Sequence, residues 1–274
     1  MTAASYHTML TIAGSDPSGG AGIQADIKTA SALGVYAMSV ITAVTAQNTC
    51  GVTGFEAVSL PMLRSQLTAV LSDIRPGAVK IGMIPSAAHV RVIAEAIGEY
   101  DLKHVVLDPV LVATSGDALS EGDTVQTLLH SLAPHAEIIT PNIPEAEALT
   151  SIKITDLHSC IGCADGLLGF SGAKSVLLKG GHGADPGEII DIFIDADHKS
   201  LLTHRRIDTP NTHGTGCTLS SAIASLLALG YDRHAAVVRG VEWLGAAIEA
   251  GANKSIGHGQ GPVNHLFKIP EYND

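Results

Sequence analysis

Aromatic side chains and charge are both scarce in this chain of 274 residues. Phe, Trp and Tyr together make up 4% of the chain and charged residues 16%, whereas hydrophobic residues make up 46%. This balance excludes an intrinsically disordered chain, which has low hydrophobicity and a high charge content. Glycine is plentiful instead, at 29 residues, so we expect close backbone packing and many glycine-dependent turns.

Basic residues are in short supply. The chain has 16 Lys and Arg against 27 Asp and Glu, a formal net charge of −11. Without a basic stripe it is a poor match for nucleic-acid phosphates, and its charge opposes binding to an anionic membrane surface. No run of 18 apolar residues is present, and the first residues lack the pattern of a secretory signal. We therefore expect no nucleic-acid partner, no membrane association and no secretion.

Only four cysteines are present, too few for a disulfide framework in a chain of this length. The reduced cytoplasm is the expected location. Cys160 and Cys163 form a C-x-x-C pair with His158 nearby, which is compatible with metal or redox chemistry. Because a zinc site of this kind requires a second pair, the spacing favours a structural role for both cysteines.

Several catalytic motifs are missing. The phosphate-binding pattern G-x-x-x-x-G-K-[ST], the nucleophile pattern G-x-S-x-G and the zinc-protease pattern H-E-x-x-H do not occur. Their absence argues against a P-loop nucleotide enzyme, an α/β-hydrolase and a zinc protease of the H-E-x-x-H type.

Short apolar runs alternate with helical patterns along nearly the whole chain. The expected strands are Met9–Ala13, Ala37–Thr45, Ala78–Gly82, His104–Leu107, Glu137–Thr140, Ser175–Lys179, Ile189–Ile194 and Ser200–Arg205. The expected helices are Ala21–Leu33, Pro61–Ile74, Ala87–Glu99, Asp123–Leu132, Ile143–Ser151, Ser159–Ser171, Gly216–Leu229 and His234–Ala252. The alternation predicts an α/β fold with a mainly parallel sheet, in which ligands bind beyond the carboxyl ends of the strands. The last two strands are close enough to form an antiparallel hairpin at a sheet edge.

The first candidate site is the glycine-rich loop Gly14–Gly22, which follows a strand and leads into a helix. Gly20, Gly22 and Ala25 resemble a dinucleotide-binding fingerprint. However, Gly20 comes late for a tight turn off the strand, and no acidic residue ends the next strand, Ser39–Thr45. A dehydrogenase is therefore disfavoured, and a plain glycine turn remains open for this loop taken alone.

The second candidate site is Asn211–Ser220 (NTHGTGCTLS), at the start of a long helix. Gly214 and Gly216 allow successive N–H groups to point the same way, and the helix N-terminus adds partial positive charge. Together these features predict an anion hole suited to a phosphoryl group in transfer. Cys217 falls in the first helical turn, where a lowered thiol pKa is expected. The alternative is a helix cap with a small buried cysteine.

This segment resembles the signature of the hydroxymethylpyrimidine/phosphomethylpyrimidine kinases of thiamine biosynthesis, in the ribokinase-like superfamily. Further matches follow in order over residues 9 to 267. They are Thr11–Asp26 (TIAGSDPSGGAGIQAD), Ser39–Asn48 (SVITAVTAQN), Lys80–Met83 (KIGM), Leu107–Val110 (LDPV), Thr114–Gly116 (TSG), Thr140–Glu145 (TPNIPE), Leu178–His182 (LKGGH) and Gly257–Pro262 (GHGQGP). Each match is weak by itself, but together and in order they are specific.

The resemblance implies one ribokinase-like kinase domain over residues 1–274, with a central, mostly parallel sheet and helices on both faces. It also assigns roles to residues. The implied catalytic residues are Cys217, Gly214, Thr215 and Gly216; the implied substrate-binding residues are Gln47, Gly14, Asp26, Met83 and Val110. The implied ATP-binding residues are Asn142, Lys179 and Thr212, and the implied Mg²⁺ residues are Glu145 and Asp108. Cys217 stands where many ribokinase-like enzymes carry a catalytic Asp.

The implied reaction transfers the γ-phosphoryl group of ATP, with Mg²⁺, to 4-amino-5-hydroxymethyl-2-methylpyrimidine and then to its monophosphate. A homodimer is expected, as is usual in the family. The nearest alternative is a pyridoxal or pyridoxine kinase, which shares the fold and the Gly-Thr-Gly motif. A non-catalytic ligand-binding module on the same fold is a further alternative. Intact Asn142, Glu145, Lys179 and Cys217 argue against such a module.

Overall fold

The computed structural model describes residues 5–110, 122–180 and 187–269. The strands in this part are β1 (Thr8–Ser15), β2 (Tyr36–Asn48), β3 (Gly51–Ala57), β4 (Ala78–Ile81), β5 (Val105–Leu107), β6 (Ala136–Ile139), β7 (Ser175–Leu178), β8 (Glu188–Asp195) and β9 (Lys199–Arg205). The helices are α1 (Gly22–Ala32), α2 (Leu60–Leu71), α3 (Ala87–Glu99), α4 (Gly122–Thr127), α5 (Ile143–Thr150), α6 (Leu157–Ser171), α7 (Thr215–Ala228) and α8 (Arg233–Gly251). Of the family matches, Thr114–Gly116 and His182 lie outside the described residues.

The nine strands of the described residues form one sheet in the order β3-β2-β1-β4-β5-β6-β7-β8-β9. Neighbours from β2 to β7 pair in parallel, whereas β3 and the hairpin β8–β9 add antiparallel edges. The mainly parallel sheet and the edge hairpin confirm the predicted fold class. Because the central strands are parallel, their carboxyl ends meet at one edge of the sheet.

Helices cover both faces of the sheet, and the side chains of the strands alternate between two apolar cores. Leu10 and Ile12 of β1 pack on the side of α2, α3, α5 and α6, while Met9 packs against α1, α7 and α8. The same alternation separates Val105 from Val106 in β5. This arrangement confirms the expected helices on both faces.

One strand, β3, was not predicted. Its sequence contains two glycines and no apolar alternation, and most of its residues are exposed. It forms because β2 is longer than expected and offers an edge for antiparallel pairing over Ala43–Asn48. The predicted helix Asp123–Leu132 also differs, since α4 continues as a π-helical turn over Leu128–Leu132. The wider turn allows three leucines, Leu128, Leu129 and Leu132, to face the core.

The four cysteines are all unpaired thiols. Cys163 is buried in α6, and its Sγ atom lies 3.3 Å from the hydroxyl oxygen of Thr150. Burial raises the pKa of both Cys160 and Cys163. Within the described ranges, no group of three or more His, Cys, Asp or Glu side chains is placed to hold a metal. These surroundings agree with a structural role for the pair. No helix in the described part of the chain is long and apolar enough to cross a bilayer.

Candidate active site

A cavity of about 620 Å³ opens at the carboxyl ends of the parallel strands, beside the start of α7. Thirteen of the fourteen residues that the resemblance assigns to a site line this cavity. They are Gly14, Gln47, Met83, Asp108, Val110, Asn142, Glu145, Lys179, Thr212, Gly214, Thr215, Gly216 and Cys217. The remaining residue, Asp26, does not line it. The topology therefore brings together segments that are far apart in the sequence.

The anion hole forms where the loop before α7 meets the first helical turn. Gly214 has a φ of 77°, a conformation that favours glycine, and a Cβ atom there would lie 1.9 Å from the carbonyl oxygen of Gly20. Among the described residues, no side chain caps this helix. The first-turn N–H groups and the helix dipole therefore face the cavity, where they favour a negatively charged group.

Cys217 lies in the first turn of α7 and in the cavity wall. Burial is the main reason that the pKa of its thiol rises to about 11. Lys80 and the N–H of Gly22 act in the opposite direction, while Asp26 and Asp108 raise the pKa further. The expectation of a lowered pKa is therefore wrong, because desolvation outweighs the helix terminus. The thiol is protonated at neutral pH in the free site.

The opposite wall carries a lysine between two carboxylates. The Nζ atom of Lys179 lies 2.9 Å from Oδ1 of Asp108 and 4.0 Å from Oε2 of Glu145. Asp108 also accepts hydrogen bonds from the hydroxyl groups of Thr140 and Ser220. Burial would raise the pKa of Asp108, but Lys179, Lys80 and these contacts hold it below its usual value. For Lys179, the two carboxylates overcome burial and raise the pKa.

Asn142 and Glu145 form a capping box at the start of α5. The side chain of Asn142 accepts from the N–H of Glu145 at 2.9 Å, and Oε2 of Glu145 accepts from the N–H of Asn142 at 2.8 Å. Burial, with Asp108 nearby, raises the pKa of Glu145 to about 7, although Lys179 opposes the shift. Asn142 and Glu145 therefore cap the start of α5 and also line the cavity.

The donor set of this wall suits Mg²⁺ that arrives with a nucleotide. Asp108 and Glu145 supply carboxylate oxygens at the cavity, and Lys179 lies between them. Two carboxylates alone do not form a protein cage, but Mg²⁺ is held by one or two carboxylates together with water and phosphate oxygens. These residues therefore fit the metal that the resemblance implies.

The other half of the cavity is small and mostly apolar. Met83, Ala43 and Val110 pack together, and Met83 occupies the space above Gly14, where a Cβ atom would lie 2.8 Å from its sulfur. Gln47 closes this end, with its Oε1 accepting from the hydroxyl of Thr45 at 3.1 Å. An amide beside an apolar wall is suited to a flat heteroaromatic ring with donor and acceptor edges.

Sequence reasoning missed a pair that joins the two glycine loops. Oδ2 of Asp16 lies 2.8 Å from Nε2 of His213, and it also accepts from the N–H groups of Gly20 and Ala21. These contacts overcome burial and hold the pKa of Asp16 well below its usual range. The only sequence signal was the turn-forming segment Asp16–Ser18, because the partner His213 lies 197 residues away.

A third wall, from the edge hairpin and α8, was also missed. Its apolar part is Ile189, Ile207, Val241, Leu244 and Ile248, and its polar part includes Asp191, His204, Arg205 and Arg206. Oδ2 of Asp191 lies 3.0 Å from Nε2 of His204, and Oδ1 accepts from the N–H of Gly180, next to Lys179. In the sequence, the apolar residues of α8 fall at helical spacing, and this pattern predicts only a helix that packs against the core.

Asp26 lies beneath the cavity rather than in its wall. It sits one turn into α1, is fully buried and pairs with Lys80 of β4. The structure thus does not bring Asp26 together with the other assigned substrate residues. The aspartate that lines the cavity from this segment is Asp16.

Comparison with known proteins gives consistent results. The family model described as phosphomethylpyrimidine kinase matches residues 16–264. The hydroxymethylpyrimidine/phosphomethylpyrimidine kinase of Rhizobium meliloti is 48% identical over 94% of this chain and 97% of its own length. The protein of the same name from Bacillus subtilis is 44% identical over 96% of each chain. A probable thiamine biosynthetic bifunctional enzyme of Oryza sativa is 45% identical over 97% of this chain, which spans only 49% of that protein.

Solved structures share the fold. A phosphomethylpyrimidine kinase of Clostridium difficile is 45% identical, with a TM-score of 0.77 over 88% of this chain and 99% of that one. The ADP complex of Bacillus subtilis pyridoxal kinase is 34% identical, with a TM-score of 0.86 over 95% and 98% of the two chains. These matches cover the cavity and the sheet that forms it. The chain belongs to the phosphomethylpyrimidine kinase family.

Proposed function

We propose that this chain transfers the γ-phosphoryl group of ATP to the hydroxymethyl group of 4-amino-5-hydroxymethyl-2-methylpyrimidine, and then a second phosphoryl group to the monophosphate. The observation that most supports this proposal is that a single cavity is lined by Gln47 and Met83 at one end and by Lys179 and Asp108 at the other, with the start of α7 between them. A small ring at one end and a triphosphate at the other would meet at Cys217 and Gly214–Gly216. Relatives named for this activity match over nearly their whole length.

In this proposal, Gln47 holds the pyrimidine edge while Gly14, Met83 and Val110 enclose the ring. The hydroxymethyl oxygen attacks the γ-phosphorus, the bond from that phosphorus to the bridging oxygen breaks, and ADP leaves. The hydroxyl proton passes late in the step to a non-bridging oxygen of the transferred phosphoryl group. The transition state is loose, so alignment and charge stabilisation contribute more than a strong base. The N–H groups of the first turn of α7 stabilise the equatorial oxygens. The protonated thiol of Cys217 holds the substrate oxygen by a hydrogen bond.

The same anion hole serves the second transfer. A monophosphate that binds with its phosphate at the first turn of α7 places a phosphate oxygen where the hydroxyl oxygen lay before. No additional site is then required, because the helix N-terminus accepts either group.

We assign Asn142, Lys179 and Thr212 to the nucleotide, with Lys179 on its phosphates. Asp108 and Glu145 would hold Mg²⁺ through oxygen or through bound water. The metal supplies neutralisation of phosphate charge when it is bound. Lys179 already lies between these carboxylates, so it can exchange a carboxylate contact for a phosphate contact.

A ³¹P NMR time course tests the proposed reaction. The protein is incubated with ATP and Mg²⁺, separately with the hydroxymethylpyrimidine and with pyridoxal. We expect the pyrimidine monophosphate first and the diphosphate next, with little pyridoxal phosphate. Pyridoxal phosphate as the main product would assign the chain to vitamin B6 salvage instead. No product from either substrate would contradict the kinase proposal and favour a binding module. Cys160→Ala serves as the variant with unchanged turnover.

We further propose a cytoplasmic homodimer built on a single domain, residues 1–274. Phe55 of the edge strand β3 and Val44 of β2 are both exposed, on opposite faces of the sheet because Phe55 pairs with Thr45. Light scattering after size-exclusion chromatography tests the dimer. We expect Phe55→Glu to give monomers, and a wild-type monomer at micromolar concentration would contradict the proposal. Limited proteolysis that yields one resistant core would support the single domain.

A further inference from the structure

A buried ion pair lies beneath the cavity and has no role in the reaction described so far. Lys80 of β4 and Asp26 of α1 are both fully buried, and Nζ lies 2.9 Å from each carboxylate oxygen. Lys80 occupies the face of β4 that packs against α1 and α7. On the β5 side the neighbouring positions are apolar, namely Val106 and Ile138, whereas the β1 partner of Lys80 is Thr11. The charged pair therefore lies in a small polar cluster within a largely apolar core.

The carboxylate of Asp26 joins four elements. Besides Lys80 of β4, it accepts a hydrogen bond of 2.6 Å from the hydroxyl of Thr11 in β1 and one of 2.6 Å from the hydroxyl of Ser221 in α7. Asp26 itself belongs to α1. Its hydrogen-bonding capacity is thus well used, and the position of α7 relative to the sheet depends on it.

Stability alone does not explain this pair. Two charges lose much hydration on burial, and replacing a buried pair by apolar residues of similar volume is often neutral or stabilising. At the level of Lys80, the neighbouring strand β5 carries the apolar Val106. Because burial of the pair costs free energy of hydration, a role in organising the neighbouring residues explains it better than stability does.

The surroundings are the catalytic end of α7. Ser221 lies one helical turn after Cys217, so Asp26 sits one turn below the thiol on the same face. The ammonium of Lys80 fills space beside Gly82, where a Cβ atom would lie 2.8 Å from Nζ. Gly82 directly precedes Met83 of the cavity wall. The pair is therefore in contact with the cavity floor.

The two charges of the pair act on the Cys217 thiol in opposite directions. Lys80 lowers the pKa of Cys217 more than Asp26 raises it. The other charged groups that act on Cys217 are Asp108, after β5, and Lys179, after β7. Lys80 is thus a fixed, enclosed cation in the layer beneath the cavity wall at Gly82 and Met83.

We propose that Lys80, anchored by Asp26, is a positioning residue that fixes the first turns of α7 and supplies positive charge beneath the site of the transferring phosphoryl group. This inference rests on the proposed kinase reaction. It assigns Asp26 to the support of the site and not to direct substrate contact.

The first test is the double variant Lys80→Met/Asp26→Asn, which removes both charges and keeps the side-chain volumes similar. We expect cooperative melting near the wild-type temperature, KM values for both substrates within about threefold, and a kcat at least tenfold lower. This pattern indicates an interaction that acts only in the transition state.

A second readout needs no substrate. The rate of iodoacetamide modification of Cys217 at pH 8 is measured by peptide mass spectrometry, with the exposed Cys50 as the internal reference. We expect the rate at Cys217 to fall severalfold in the double variant, because Lys80 lowers the thiol pKa more than Asp26 raises it. A wild-type protein without kinase activity would contradict the proposed function, while this measurement would still test the charge placement.

A matched pair of milder variants keeps the test decisive if the double variant does not fold. Ser221→Ala removes a hydrogen bond to Asp26. Ser225→Ala removes an equivalent hydroxyl one turn further along α7, which contacts the Ser221 carbonyl oxygen and Met9. We expect Ser221→Ala to lower both kcat and the modification rate, with Ser225→Ala close to wild type. Equal behaviour of the two variants, or a loss of kcat with unchanged modification of Cys217, would overturn the proposal.

Discussion

Two lysine–aspartate pairs at the same end of the sheet differ mainly in what surrounds them. In each pair, Nζ lies 2.9 Å from a carboxylate oxygen. The side chains of Lys80 and Asp26 are both 0% exposed, whereas Lys179 is 14% exposed and faces the cavity. The same contact therefore has two uses. The enclosed pair is shut off from the cavity, as a fixed support requires, while the open pair is placed to exchange its carboxylate contact for a phosphate in the proposed reaction.

The largest expected effect is on the free energy of unfolding, which the enclosed pair should influence more than the open pair. Lys80→Met alone leaves Asp26 as an unpaired buried charge, so we expect a loss of about 3–5 kcal/mol in the free energy of unfolding. Lys179→Met should lose less than half as much, because Lys179 lies on the cavity side and its removal opens the buried Asp108 to water. Urea denaturation of both variants measures the difference. Equal losses would show that the two pairs are energetically alike.

The next effect is on turnover, for which the open pair should be needed directly. In Lys179→Met, loss of a preorganised cation on the phosphates should lower kcat roughly 10²–10³-fold, together with weaker ATP binding. Steady-state kinetics with the hydroxymethylpyrimidine, and nucleotide titration of the same variant, provide the measurement. The Lys153→Met variant, which removes an exposed ion pair with Glu147, is the matched control and should behave as wild type. Full turnover in Lys179→Met would remove this lysine from the phosphate site.

A smaller effect is expected at the thiol between the two pairs. Cys217→Ala should lower kcat roughly 100-fold, at the low end of general acid–base contributions, because the thiol is protonated and acts by alignment. ATP binding should be largely intact, since the N–H groups of the first turn of α7 remain. Calorimetric titration with a non-hydrolysable ATP analogue checks the binding. Turnover at the wild-type rate would show that Cys217 has no part in the mechanism.

The smallest effect concerns Glu145 beside the open pair. Burial raises its pKa from the ordinary 4.5 to about 7 in the folded protein, so the folded state binds the proton more tightly. The stability that this group contributes is present below pH 4.5 and is lost as the pH rises to about 7. Glu145→Gln should remove roughly 1–3 kcal/mol of that pH dependence.

The measurement is the free energy of unfolding at several pH values between 4.5 and 8, without metal or nucleotide. Glu147→Gln is the matched control on the same helix. The pKa of Glu147 is lowered, first by a hydrogen bond from the Ile154 N–H. That variant should therefore keep the loss of stability at rising pH. An identical pH profile for wild type and Glu145→Gln would mean that Glu145 ionises normally.

Most of the fold could be predicted because its signals are local. Apolar alternation and helical spacing located eight strands and eight helices, and the alternation of the two types indicated a parallel sheet. The missed strand β3 carries two glycines and little apolar pattern, and it exists only because β2 offers it an edge. Its formation depends on pairing and not on its own propensity.

The sequence indicated which residues line the cavity better than it indicated their chemistry. Glycine loops and helix starts are local features, and thirteen assigned residues line the cavity. Cys217 was expected to have a lowered pKa from its place at a helix N-terminus. Burial reversed the direction, and burial is a property of everything packed around the thiol. The Asp16–His213 pair escaped prediction because its members lie 197 residues apart.

By itself, the sequence determined the order of the elements, the glycine turns, the helix caps and the family, because each depends on neighbouring residues or on motifs in order. Tertiary structure alone decided which aspartate faces the cavity. Asp26 takes its partners from positions 15, 54 and 195 residues away, and these contacts draw it beneath the floor. Charge, burial and hydrogen bonding act through space, so the chemistry of a buried group is set only when the chain has brought its distant neighbours together.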